Sequence, residues 1–150
     1  MEPYSISDLE RIITGAAAKL EFSLAPEFAT EIAKRSRGTA RVAISHVYWL
    51  RDVVQGDGGT ATAELVRLAF EMKGIDENGL TRTDREYLER LAESEEPIGV
   101  ETLASALNES VETLTASIEP FLLREGYVTR TPRGRTATEK TRKLFEEAAK

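Results

Sequence analysis

The chain has 150 residues, 41% apolar and 31% charged, with a formal net charge of −6 and no cysteine. These figures describe one ordinary folded domain or two small ones, and they exclude a disulfide framework and any thiolate metal site. No stretch of about 18 apolar residues occurs and the N-terminus lacks an export signal, so no membrane span is expected and the expected compartment is the cytoplasm.

Four helices are predicted in the first half. Ser7 with Glu10 reads as a capping box, followed by Leu9, Ile12, Ile13, Ala16, Ala17 and Leu20 at helical spacing. Pro26 suits the first turn of a second helix with Phe28, Ile32 and Ala33 inward, ended by Gly38. Thr39 caps a third, the most apolar and therefore central helix, running from Val42 to Val54. It carries the sole histidine, His46, which alone cannot form a zinc site and is expected as a half-buried packing residue. After the loop "GDGG", Thr60 or Thr62 opens a fourth helix with Leu65, Leu68, Ala69 and Met72, ended by Gly74. "IDENG" at 75–79 reads as a junction turn; it lacks the later ligands and closing Glu of a calcium loop. The domains are therefore placed at 1–75 and 76–150.

The second half has another rhythm. Thr83 caps a helix with Tyr87, Leu88 and Leu91. "EPIGV" is short and extended, and 100–107 is a two-turn helix. "NES" is a turn and cap, and Val111, Leu114, Ile118, Phe121 and Leu122 mark a further helix that Pro120 should kink. "GYVTR", "TPRG" and "RTAT" read as strand, turn and strand, and a terminal helix spans 138–149. Helix, short strand, helix, helix, strand, turn, strand is the order of a winged helix, a helix-turn-helix variant with a β-hairpin appended. The fold class is mainly α: a four-helix bundle followed by a winged-helix domain.

Charge is unevenly spread: −1 over residues 1–75, −9 over 76–123 and +4 over 124–150. Local potential, screened within roughly 8–10 Å, steers a partner more than the average does. In "TPRG", Pro132 stands second and Gly134 fourth, as a type I turn prefers. Arg130 and Arg135 then face each other at the hairpin base, with Arg133 at the tip. Opposed like charges destabilise a strand pair, whereas a phosphate beside them turns repulsion into charge-assisted hydrogen bonds. Gly134 would keep the backbone thin at a groove. A solvated hairpin is the plain alternative. The helix over 111–124 offers Glu112 and Glu119 and only weak base partners in Thr113, Thr115 and Ser117, so little sequence readout is expected. Arg41, with Arg35 and Arg37 upstream, lies at a helix N-terminus, where cations oppose the macrodipole; this too suggests an anionic partner.

"RSRGTAR" at 35–41, followed ten residues on by Arg51-Asp52, resembles the sensor-2 region of the AAA+ small domain in the RuvB family of Holliday-junction branch-migration motors. "DREYL", "IGVETLASAL" and "ESVETLTASIEPFLLREGYVTRTPRGR" resemble that family's carboxy-terminal winged helix, and "EPY" its entry segment. The resemblance covers nearly the whole chain and implies an AAA+ lid-type bundle before the winged helix. It implies DNA contact by Arg130 and Arg135, a nucleotide-phosphate contact by Arg41 and an adenine-lining ring at Tyr4. Ala40 stands where the family usually has proline, and His46, Tyr48 and Trp49 lie on a helix that is basic in the family.

No G-x-x-x-x-G-K-[ST] loop occurs in these 150 residues, and no apolar run ends in paired acids for magnesium. No cofactor, metal or catalytic residue is therefore assigned to this chain alone, and no ATPase activity is expected of it. ATP, magnesium, the large ATPase domain, a hexamer and RuvA belong to the intact motor that the resemblance implies. The chain alone is expected to be a monomer that binds duplex or Holliday-junction DNA through the wing. The alternative is a protein-interaction winged helix whose acidic helical face docks a basic partner. A sequence-specific repressor is disfavoured by the poor reading helix.

Overall fold

The computed structural model describes residues 3–148. The chain divides into two units, Met1–Thr81 and Arg82–Lys150. Met1, Glu2 of the "EPY" segment and Ala149 of the predicted terminal helix lie outside the described residues.

The first unit contains α1 (Ile6–Lys19), α2 (Pro26–Lys34), α3 (Ala40–Gln55) and α4 (Ala63–Lys73). The cap of α1 is Ser5 rather than Ser7: its side chain accepts from the Asp8 amide at 3.0 Å. Both serines offer the same chemistry three residues before an acid. The helix starts at the one that leaves Leu9, Ile13 and Ala17 on a single buried stripe. Pro26 does open α2, while the helix ends at Lys34, before Gly38. Arg37 and Gly38, both at positive φ, turn the chain into α3. Thr39 caps α3 and Thr62 caps α4, and Gly74 closes α4 in the left-handed region.

The central helix is α3, as its apolar content predicts. Ala43, Val47, Leu50 and Val54 form one core with Leu9, Ile13, Ile32, Val66 and Phe70. Each fully buried large side chain contributes roughly 1.5–3 kcal/mol relative to exposure. In α4 the apolar positions divide: Ala69 is buried and Leu65 packs against the core. Val66, Ala69 and Phe70 are buried, whereas Leu68 and Met72 lie exposed. Phe70 is the largest apolar side chain of that helix, and packing it under His46 fixes the rotation. The loop at 75–80 belongs with this unit. Arg35 and Arg37 donate to the carbonyls of Ile75 and Gly79, and Asp76 accepts from the amides of Asn78 and Leu80. No group of three or more metal-ligating side chains occurs among the described residues.

His46 is buried, not half-buried. Its Nε2 lies 3.2 Å from the Arg35 carbonyl oxygen, so this nitrogen carries the proton and donates. Nδ1 has no partner. Burial, then the field of Lys73, lowers its pKa to about 4, and Arg35 adds a further small repulsion against the pull of its own carbonyl. A folded-state pKa below the ordinary 6.5 means that the unfolded chain takes up the proton first. Stability is therefore present above pH 6.5 and is lost as pH falls towards 4, by up to about 3 kcal/mol. Denaturant unfolding of the first unit between pH 7 and 4.5 should show this slope. A His46→Leu variant should be flatter, and an equal slope in both would assign the loss to other groups.

The second unit contains α5 (Arg82–Glu93), α6 (Val100–Ala106), α7 (Val111–Thr113), a π-helical turn (Leu114–Ile118), α8 (Glu119–Arg124), β1 (Val128–Thr131), β2 (Gly134–Ala137) and α9 (Glu139–Ala148). Thr83 falls inside the first turn of α5, one residue after its start. Ser110 caps α7 through the Thr113 amide. The predicted kink at Pro120 takes the form of a widened turn rather than a bend at the proline. Proline has no amide proton, and its ring collides with the carbonyl four residues back. The preceding turn opens to accommodate this, and the Glu119 amide donates to Leu114, five residues back.

Tyr87, Leu88 and Leu91 of α5, Leu103 and Ala104 of α6, and Leu114, Ile118, Phe121 and Leu122 are buried. The hairpin pairs antiparallel, with β2 packed on α5 and α9. Thr138 and Thr141 donate to the carbonyls of Gly126 and Tyr127, and Arg142 donates to Ala92 and Ser94. Much of the basic tail thus serves to hold α9 in place. Of "EPIGV", Pro97 to Gly99 form the predicted short extended stretch, Ile98 making a bridge to Arg135, while Val100 already opens α6.

Candidate nucleic-acid interface

The wing is a hairpin closed by Pro132 and Arg133, with Thr131 paired to Gly134. The Thr131 hydroxyl fixes the turn by donating to the Gly134 carbonyl at 2.9 Å and accepting from the Arg133 amide at 3.2 Å. Gly134 is buried, and its role differs from the thin groove-side backbone that its sequence position suggests. A Cβ there would lie 2.5 Å from the Ile98 carbonyl oxygen, and its φ of 137° is one that side chains rarely adopt. Glycine is needed because Ile98 passes directly over it. Ile98 and Arg135 exchange both main-chain hydrogen bonds beside this close approach, Ile98 N–H to Arg135 at 2.9 Å and Arg135 N–H to Ile98 at 2.8 Å.

Arg130 and Arg135 do face each other across the strands. Their repulsion is neutralised from within the protein. Glu119, fully buried at the start of α8, receives Arg135 Nε at 2.7 Å and its terminal amino group at 3.0 Å. The Tyr87 hydroxyl donates to the same carboxylate at 2.6 Å, and Arg130 approaches to 3.6 Å. Burial opposes the charge on Glu119. The hydrogen bonds from Arg135 and Tyr87, with the fields of both arginines, outweigh burial and hold its pKa below the ordinary carboxyl value. Burial, with Glu119 beside it, pushes the Tyr87 hydroxyl well above its ordinary value, so it stays a donor.

Exposure sorts the three wing arginines. The Arg135 side chain is 15% exposed, Arg130 54% and Arg133 77%. Arg133 reaches Glu96 at 3.2 Å, an exposed pair on both sides and worth little. Lys140 rests over the Tyr127 ring and donates to Glu125.

On the reading helix, the Thr115 hydroxyl bonds back to the Val111 carbonyl at 3.0 Å and Thr113 Oγ1 accepts from Ser110. Two of the three weak base-reading candidates are thus engaged internally, and only Ser117 is left in the open among them.

Sequence reasoning does not find the Glu119–Tyr87–Arg135 network, because by spacing Glu119 reads as an outward acid. On a regular helix it would lie off the stripe of Leu114, Ile118 and Leu122. The widened turn inserts the extra residue that carries it inward, and Pro120 immediately after it is the available signal.

In the first unit, the Tyr4 amide donates to the Gly38 carbonyl at 2.9 Å, which ties the entry segment to the loop three residues before Arg41. The Tyr4 side chain is exposed, and Arg41 is exposed on the first turn of α3, where no acidic side chain accompanies it. The structure therefore brings these two residues to one edge. Arg35 and Arg37 do not join them. Arg35 is buried beside Phe70 and Glu31, and Arg37 is tied to the Gly79 carbonyl.

A four-helix bundle followed by a helix-turn-helix with a cationic hairpin wing defines the class: a helical lid-type domain joined to a winged helix. Residues 4–76 match the RuvB AAA lid domain, and residues 77–146 match the RuvB C-terminal winged helix domain. The chain belongs to the RuvB family. It is 43% identical over 145 residues to the Holliday junction branch migration complex subunit RuvB of a Nitratiruptor species, covering 95% of this chain and 43% of that protein. The Thermotoga maritima RuvB Holliday junction branch migration motor superposes with a TM-score of 0.88 at 35% identity, over 97% of this chain and 50% of that one. A mutant of the same Thermotoga maritima protein gives 0.89 over the same shares. The chain thus spans about half the length of the relatives it matches. Among the described residues, no helix is long and apolar enough to cross a membrane.

Proposed function

We propose that this chain is the DNA-binding lid and winged-helix portion of a RuvB-type Holliday-junction branch-migration motor, and that its wing holds duplex DNA by the phosphate backbone with little sequence preference. The observation that carries the reading is the cationic hairpin, Arg130, Arg133 and Arg135, with two of its guanidiniums open to solvent. The engaged hydroxyls of Thr113 and Thr115 support the lack of base readout.

The chain alone has no ATPase activity in this reading, since its sequence holds no phosphate loop. In the intact motor Arg41 would approach nucleotide phosphate and Tyr4 would line the base. An exposed guanidinium on a first turn that carries no acid, and an exposed ring tied to the same loop, fit those tasks. ATP and magnesium would supply the energy there, with the large ATPase domain, a hexamer and RuvA as partners. The reading places the protein in the cytoplasm.

Duplex binding of the 150-residue chain should weaken steeply with salt, with a log–log slope of about −0.9 per neutralised phosphate. An Arg130→Ala/Arg133→Ala variant should bind more weakly on every sequence and lose about two units of that slope. Equal affinity of variant and parent at low salt would overturn the reading.

A second reading has its own observation. The groove between α5 and α9, about 670 Å³, is lined by Glu89, Glu93, Glu139 and Glu146 around Phe145 and Arg142. It suits a basic, partly apolar protein segment. Capture of such a partner that survives loss of Arg130 and Arg133 but not a Glu89→Lys/Glu93→Lys change would favour this reading.

A further inference from the structure

Arg130 and Arg135 stand opposite each other on the hairpin, and a single buried carboxylate lies against both. Glu119 Oε2 accepts from Arg135 Nε at 2.7 Å, and Oε1 accepts from Arg135 Nη2 at 3.0 Å. The same Oε1 lies 3.6 Å from Arg130 Nη2. Two guanidiniums thus converge on one oxygen. A guanidinium carries its donors in one rigid plane. Glu119 takes only those on the Nε–Nη2 edge of Arg135. The rest, both on Nη1 and one on Nη2, lie on the far edge of that plane, and 15% of the side chain reaches solvent. Arg130 approaches Glu119 by one nitrogen and keeps more than half of its side chain in solvent.

Glu119 is itself held. The Tyr87 hydroxyl donates to Oε2 at 2.6 Å, and the widened turn before Pro120 fixes its backbone. A carboxylate beside a cationic wing weakens the attraction for a polyanion, so its charge works against DNA binding. What it supplies is order. A free arginine samples many rotamers, and opposed cations push apart. A wing whose guanidiniums are already fixed side by side loses less freedom when phosphate arrives.

We propose that Glu119, anchored by Tyr87, is a positioning residue of the wing: it holds the Nε–Nη2 edge of Arg135 and draws Arg130 towards it, so that the uncommitted donors of both are presented together to backbone phosphate. The proposal rests on the duplex-binding reading above. Arg135 keeps its pair with Glu119 while it binds, because the two partners use different donors.

A charge effect and a positioning effect of Glu119 have opposite signs. Binding is measured at pH 6, where Glu119 is ionised, with a mixed-sequence duplex of about 20 base pairs, which presents far more phosphates than one wing neutralises. Acting through charge alone, Glu119→Gln would bind more tightly. The expected result is a several-fold loss of affinity, read at a temperature where amide dispersion shows the second unit folded. A gain, or no change, would overturn the proposal. Tyr87→Phe leaves every charge in place and decides the matter if the glutamine variant does not fold. It should bind more weakly than the parent at an unchanged salt slope, and affinity equal to the parent's would count against the proposal in the same way. The readout that a merely structural role would not move is the Arg135 guanidinium of the unmodified chain. On titration with duplex its Nη signals should shift, while its Nε–H signal holds because that proton stays on Glu119. An Nε–H shift as large as that of the Nη protons would show the pair opening on binding and would sink the assignment while leaving duplex binding intact. Absence of duplex binding by the unmodified chain would instead overturn the reading beneath it.

Discussion

Glu119→Gln is expected to cost the second unit about 3 kcal/mol of stability, the lower end of what breaking a buried ion pair costs, since Arg135 keeps some solvent. Glutamine has nearly the same shape and still accepts from the Tyr87 hydroxyl. Its amide nitrogen, however, is a donor facing the donors of Arg135. The guanidinium is then left buried against one oxygen, and Arg130 loses its only nearby anion in the network. Denaturant unfolding followed by amide exchange at Tyr87 and Arg135 measures the loss. Arg135→Met should cost a similar amount, and the double variant clearly less than the sum. Strict additivity would show that the pair is not a unit. The acid limb follows with the same sign. Because the carboxyl pKa is held below the ordinary 4.5, the contribution is full above that value and is lost as pH falls through the lower folded value. The His46 window in the first unit lies higher, between 6.5 and about 4, so the two units should show their acid sensitivity in that order.

Gly134→Ala is expected to cost about 3 kcal/mol, combining left-handed backbone strain of about 1–3 kcal/mol with a main-chain overlap. The neighbour at 2.5 Å is the carbonyl oxygen of Ile98, which has no side-chain freedom with which to retreat. The strand segment at Ile98 must lift away, and both hydrogen bonds to Arg135 go with it. Exchange protection at the Ile98 and Arg135 amides should fall together. Unchanged protection would mean that the bridge tolerates the extra methyl and that the glycine is dispensable.

Features set by local chemistry were legible in the sequence. Thr39, Thr62 and Ser110 cap helices through their hydroxyls, Pro26 opens α2, Gly74 closes α4, and the Thr-Pro-Arg-Gly turn pairs Arg130 with Arg135. Each needs only a few neighbouring residues. What escaped depends on partners far along the chain. The rotation of α4 follows from Phe70 under His46, and the inward turn of Glu119 follows from Tyr87 and Arg135, 32 and 16 residues away. Ser5 and Ser7 are alike locally, and the buried stripe chooses between them. The candidate site shows the same division. Which arginines share the hairpin could be read from spacing, while which of them stays open to solvent depends on a carboxylate that spacing places outside.

The widened turn at Leu114–Ile118 also constrains how this domain can change length. A π turn is a helix carrying one residue more than an α-helix needs. Deleting one residue between Leu114 and Glu119 would restore the regular pitch without turning α7 against α8, because the widened turn already absorbs about one residue's 100°. Leu114 and Glu119 would then stand four apart on the same face. Inserting a further residue would instead rotate α7 by about 100° and take Leu114 off the buried side. Among chains of this architecture a gain of length should therefore avoid residues 114–118, where a one-residue loss is absorbed, and should collect in exposed loops such as 56–60.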